Sequence, residues 1–202
     1  MNIKYKNLFG RYSNFRLLDP DHEQGLRNAA NEESTWRFMK LKGNGIFFDD
    51  WYQDLKQKEK LGLIVPYVIH DASSDSVIGA MGISNISEID EKAEISGLWL
   101  HSASRGRRKV FYEGTYLVLK HMFEDQGINR LEIRADSRNI TALNLYRNIG
   151  AVEEGVLRQN VRTQDGFIGD TAILSILKDE WSAIERTMSD VLYFRYSPNL
   201  SK

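Results

Sequence analysis

Three short stretches carry the side chains best suited to chemistry. The first is Asp136-Ser137-Arg138-Asn139 leading into a segment that holds Tyr146 and closes at Gly150. An asparagine at the head of such a segment suits a helix cap, where its side-chain oxygen accepts from a free backbone amide. The second is Ala93 to Leu100, an apolar run in which Glu94 and Ser96 share one face by strand alternation. Glu94 there either faces solvent, balances nearby basic charge or takes part in chemistry. The third is Arg105-Gly106-Arg107-Arg108-Lys109, just before a helical pattern. Free amides and the dipole at a helix start favour an anion, and arginine side chains add charge-assisted contacts to phosphate. The same five residues also read as a solvated basic turn.

Other chemistries are excluded or disfavoured by residue type. The chain has no cysteine, which removes thiolate nucleophiles, thiolate metal sites and disulfides, and suits a reducing, cytoplasmic home. His22, His70, His101 and His121 are scattered without ligand spacing, so no metal is expected. Neither a Gly-x-Ser-x-Gly elbow nor a phosphate-binding Gly-Lys-Ser/Thr is present. A formal net charge of -1 gives no bulk attraction to nucleic acid or anionic membrane, and the basic loop is too small a footprint to supply one. No apolar window approaches the length of a membrane span, and the first residues lack the apolar core of a signal peptide.

The elements that must position these residues follow from periodicity. With 202 residues, 42% apolar and 27% charged, the chain suits one globular domain over 1–192, with a tail over 193–202. Phe15 to Leu18 reads as a strand, and Asp21 as the cap of a helix through Leu26 and Ala30. A second helix covers Asp49 to Lys60, after an aromatic-rich connection holding Trp36, Phe38, Phe47 and Phe48. Strands follow at Pro66 to His70, Val77 to Ile86 and Ala93 to Leu100. A helix marked by Leu117, Leu119, Met122 and Phe123 stops at Gly127. Leu131 to Ala135 is a strand, Asn139 to Ile149 a helix stopped by Gly150. Val152 to Val161 and Phe167 to Leu177 form a hairpin, and a last helix carries Trp181, Ile184 and Met188. The order β-α-α-β-β-β-α-β-α-β-β-α is a mixed α/β domain, mainly antiparallel with a parallel stretch, flanked by helices.

The run from Asn139 through Ala142 and Tyr146 to Gly150 resembles the GNAT superfamily of N-acetyltransferases, with Ala151 where Phe is usual. The likeness continues through Glu153-Glu154-Gly155-Val156-Leu157-Arg158 and Asp165-Gly166 to Asp170, as in ribosomal-protein N-terminal acetyltransferases. The resemblance implies a sheet with a splayed parallel pair and acetyl transfer from acetyl-CoA to a primary amine, a small molecule or a protein N-terminus. It implies Tyr146 as the acid protonating the departing thiolate, and Glu94 as the carboxylate accepting the amine's proton. It implies pantetheine pairing along the backbone of Leu98 to Leu100, the pyrophosphate over Arg105, Gly106, Arg107, Arg108, Lys109 and Val110, and Asn139 at the cofactor. The family's Gln/Arg-x-x-Gly-x-Gly is not met: Arg108 and Val110, or Lys109 and Phe111, hold the glycine places. A non-catalytic acyl-CoA-binding or regulatory protein is therefore the alternative. A homodimer is left open. Arg158 and Asp170 read equally as an ion pair or as substrate contacts.

Overall fold

The structure, a computed structural model, describes residues 4–105 and 108–194. Its strands are β1 (Leu8–Phe9), β2 (Ser13–Leu17), β3 (Ile64–Asp71), β4 (Val77–Ser87), β5 (Lys92–Leu100), β6 (Arg130–Asp136), β7 (Val152–Arg162) and β8 (Ile168–Leu177). They form one sheet in the order β1-β2-β3-β4-β5-β6-β8-β7. Its helices are α1 (Glu23–Ala30), α2 (Phe48–Lys60), α3 (Ser102–Arg105), α4 (Arg108–Lys120), α5 (Ile140–Asn148) and α6 (Lys178–Ser189). All neighbouring strands are antiparallel except β5 and β6, which run parallel. A parallel pair needs a long crossover, and α4 is part of it. The mixed α/β architecture expected from the sequence is the one observed.

Strand alternation divides the core. On β3, Tyr67 and Ile69 point into a cluster with α4, α5 and α6, whereas Val68 points into another with α1 and α2. In the second cluster Trp36, Trp51 and Trp99 meet with ring centroids 5.1–5.8 Å apart. The crowded aromatics are thus mostly core: Trp36, Phe48, Trp51 and Tyr52 are all buried.

Several local readings are corrected. The capping side chain near the first helix is Asp19, which accepts from the Asp21 amide at 3.0 Å, and α1 starts only after the turn Pro20–His22. Leu8–Phe9 adds an edge strand too short to leave a periodicity. The basic loop is partly helical: Ser102–Arg105 makes one turn before α4. The C-terminal side is held in place, with Leu192 buried and the Tyr193 hydroxyl donating to Glu113 at 3.1 Å.

Candidate active site

The site begins where two strands part. β5 and β6 pair only from Lys92↔Arg130 to Ile95↔Ile133. Beyond that point β5 follows β4 and β6 follows β8, so a wedge opens between them. A bulge sharpens the divergence: β4 runs from Ala80 to Gly82 while β5 runs from Trp99 to Ser96, one residue more. Gly97 takes it up with φ +60°, a conformation that costs an L side chain but not glycine.

A cleft of about 330 Å³ occupies this wedge, and Glu94, Leu98, Asn139 and Tyr146 all line it. It adjoins a narrow apolar cavity lined by Leu98, Leu100, Val110, Phe111 and Tyr146. The structure thus gathers six of the residues singled out in the sequence: Glu94, Leu98, Leu100, Val110, Asn139 and Tyr146. Leu100 and Val110 are buried in the core, which leaves their main chain rather than their side chains for a ligand. Lys109 turns away from the wedge, its ammonium 5.2 Å over the Tyr12 ring. Arg105 closes α3 and Arg108 opens α4, while Gly106 and Arg107 lie outside the described residues.

Asn139 is the cap of α5, its Oδ1 accepting from the Ala142 amide at 3.2 Å. The helix it starts carries Tyr146 into the cleft, 6% exposed and with its ring 5.7 Å from that of Phe111. Burial pushes the Tyr146 phenol well above its usual range, so it stays protonated throughout the neutral region. Burial thus keeps it in the form that carries a proton, while making it a weaker acid than a free phenol.

Glu94 is 7% exposed. It does not face solvent, as one reading of the sequence would have it, and its partners among the described residues are Asn85 and Arg134. Asn85 donates to its Oε2 at 2.5 Å, and Arg134 Nε lies 3.4 Å from the same oxygen. Burial raises its pKa, with Asn85 and Arg134 offsetting part of the effect and Glu132 adding to it. A carboxylate lifted in this way is a better proton acceptor once ionised.

At the far end of the cleft, Asp136 holds Arg138 by two bonds of 2.9 and 2.7 Å, and Arg138 stacks on Phe167 at 3.7 Å. Arg158 and Asp170 form no ion pair. Asp170 instead accepts from the Gln159 amide at 2.7 Å, at a bulge where Gln159 has φ +51° and Arg158 is exposed. Lys40 and Gln164 tie two loops across this end, Gln164 N donating to Lys40 O at 3.1 Å. Asn85, Glu132, Arg134 and Arg138 are absent from the sequence-based site. Their only sequence signal is the alternation of Glu132 and Arg134, which becomes meaningful once Glu132 is known to lie beside Glu94. Among the described residues no cluster of three His, Asp or Glu could hold a metal, and no helix is long and apolar enough to cross a membrane.

The sheet thus splits after a parallel pair, with a protonated phenol and a buried carboxylate lining the split. The chain belongs to the GNAT acetyltransferase family: the model of the acetyltransferase (GNAT) domain matches residues 14–152. A search of curated proteins finds no match. Among solved structures, a "probable" GNAT-family acetyltransferase from Chromobacterium violaceum is 28% identical, with TM-score 0.78 over 87% of this chain and 88% of its own. An N-acetyltransferase from Brucella melitensis is 22% identical, with TM-score 0.85 over 97% and 87%. The ribosomal-protein-S5-alanine acetyltransferase from Vibrio fischeri is 20% identical, with TM-score 0.72 over 88% and 99%. Membership supports acetyl transfer with acetyl-CoA as the cosubstrate.

Proposed function

We propose that the chain moves the acetyl group of acetyl-CoA onto a primary amine by direct attack, with Glu94 and Tyr146 handling the two protons. The observation that carries this reading is their presence in one cleft, at the point where β5 and β6 part. The amine nitrogen adds to the thioester carbonyl, and Glu94, directly or through water, takes the proton released from nitrogen. The carbon–sulfur bond then breaks, and Tyr146 protonates the leaving thiolate, whose free pKa is about 8.5. No covalent enzyme intermediate is needed, and no cysteine exists to form one.

An N-terminal or other weakly basic amine is the favoured acceptor. An α-amine, with pKa about 7.7–8.0, offers far more free base at neutral pH than a lysine at about 10.4. The likeness of 139–170 to ribosomal-protein N-terminal acetyltransferases points the same way. The alternative, a protein that binds acyl-CoA without turning it over, is favoured by the bulky residues in the glycine places, which fall in the first turn of α4.

Thiol release from acetyl-CoA, measured across N-terminal peptides, amino sugars, polyamines and lysine analogues, decides between them. Activity on at least one α-amine is expected. Tight acetyl-CoA binding by calorimetry without turnover of any amine would establish the alternative.

A further inference from the structure

We infer that Arg134 is a positioning residue for Glu94, shared between that carboxylate and Glu132, and that Glu132 limits how strongly it acts. The inference rests on Glu94 as the base proposed above.

The geometry behind it is a line of alternating charge across the sheet. In the parallel pair, Glu94 sits directly beside Glu132, two like charges on neighbouring strands. Arg134, two residues along β6 and on the same face, answers both. Its Nε donates to Glu132 Oε1 at 2.6 Å and lies 3.4 Å from Glu94 Oε2. A single N–H cannot serve two acceptors well, so Glu132 holds the bond and Glu94 receives the charge at longer range. Glu132 is itself anchored by Arg130 at 2.9 Å, and Arg130 grips both oxygens of Glu154 at 2.6 Å. Ser175 donates to Glu154 at 2.7 Å and ends the line. Arg134 is therefore held by Glu132 through the same Nε that lies nearest the base.

The position also has access. Asn85, Glu94, Glu132 and Arg134 line a polar groove of about 480 Å³, separate from the cleft in which Tyr146 lies. Glu94 thus borders two spaces, one with the phenol and one with its charge-setting partners. The remaining groups around it are Lys92 on its own strand, which Asp90 pairs at 3.1 Å, and Lys40, Asp136 and Asp170 along the cleft. Asp136 is bound by Arg138 and Asp170 by the Gln159 amide, so these stay constant when Arg134 or Glu132 is changed.

The test reads Glu94 directly and needs no acceptor. Protein labelled with carbon-13 at the glutamate carboxyl is titrated by NMR, and Glu94→Gln identifies the resonance by its loss. Glu132→Gln removes the competing charge and should lower the Glu94 midpoint by about one pH unit; Arg134→Gln should raise it by a similar amount, with Arg134→Lys restoring most of the change. The low-pH limb of kcat on the amine turned over fastest should follow the same order. Midpoints that stay put, or that move in one direction for both substitutions, would overturn the inference, and Glu132→Gln alone suffices if Arg134→Gln does not fold. If Glu94→Gln acetylates amines at the parent rate, the functional reading fails instead. The titration would then assign Arg134 to the carboxylate but not to catalysis.

Discussion

Glu113 and Glu94 are both interior carboxylates, 0% and 7% exposed, in opposite kinds of surroundings. Glu113, on α4, accepts from the amides of Arg11, Tyr12 and Ser13 at 2.9, 2.6 and 3.0 Å, and from the Tyr193 hydroxyl at 3.1 Å. Gly10 is obligatory beside it, because a Cβ there would collide with the carboxylate. The group ties the first strands and the C-terminal segment to one helix through four donors. Glu94 has one amide donor, a shared guanidinium and a like charge beside it. Its burial is only partly offset. One carboxylate is saturated with donors that join three segments, and the other keeps few partners beside an open cleft. Burial of charge alone does not mark a catalytic group; the degree to which its partners leave it unsettled does.

Breaking the first site should cost folding. Glu113→Ala takes the acceptor from three amides, that of Ser13 fully buried, and a loss of about 3 kcal/mol is expected from urea unfolding. Breaking the second should cost chemistry. Glu94→Gln should lower kcat roughly a hundredfold or more, the range of a lost general base. Its effect on stability should have the opposite sign to that of Glu113→Ala. Because burial holds the Glu94 pKa above its ordinary 4.5, ionisation costs the folded state more than the unfolded chain. That penalty is absent below pH 4.5 and complete once the pH exceeds the raised value. The glutamine variant should therefore match or exceed the parent at pH 7, and the gain should vanish in acid. A Glu94→Gln protein as crippled in folding as Glu113→Ala would erase the distinction.

Tyr146 and Asn139 sharpen it further. Tyr146→Phe keeps the ring against Phe111 and removes only the proton, so kcat should drop ten- to a thousandfold with acetyl-CoA affinity unchanged. An unchanged chemical rate would assign the ring to packing. Asn139→Ala removes the cap and should cost about 1 kcal/mol of stability. A raised Michaelis constant for acetyl-CoA beyond that loss would place the side chain at the cofactor as well.

The ease of reading these features in the sequence follows their range. Asn139 as a cap, the stops at Gly127 and Gly150 with φ +69° and +104°, and the hairpin turn at Gly166 are local signals that the chain alone expresses. The parallel stretch also followed from the order of elements. The surroundings of Glu94 did not, because Asn85 and Arg134 reach it through strand register, and register joins residues 9 to 40 positions apart. Likewise Arg158 and Asp170 read equally as an ion pair or as substrate contacts, and the bulge at Gln159, where Asp170 takes a backbone amide and Arg158 is exposed, removes the pair. Between Leu157 and Val161 β7 carries two residues more than β8 does over the same span, an irregularity that no composition records.

The tie between Lys40 and Gln164 has a consequence for how this molecule can be re-engineered. It is a main-chain bond, seconded by Gln164 Oε1 accepting from the Lys42 amide at 2.8 Å. It stands between the cleft that holds Tyr146 and an outer cavity of about 380 Å³, with Met39 and Thr163 lining both. Only proline at 164 would remove the donating amide, so the rest of a point-mutation library will sample the walls of this end while its crossbar stays. Insertions and deletions at 37–44 or 163–166 are the changes that would move the bar and join the two chambers. A search for new acceptors should vary loop length before loop composition.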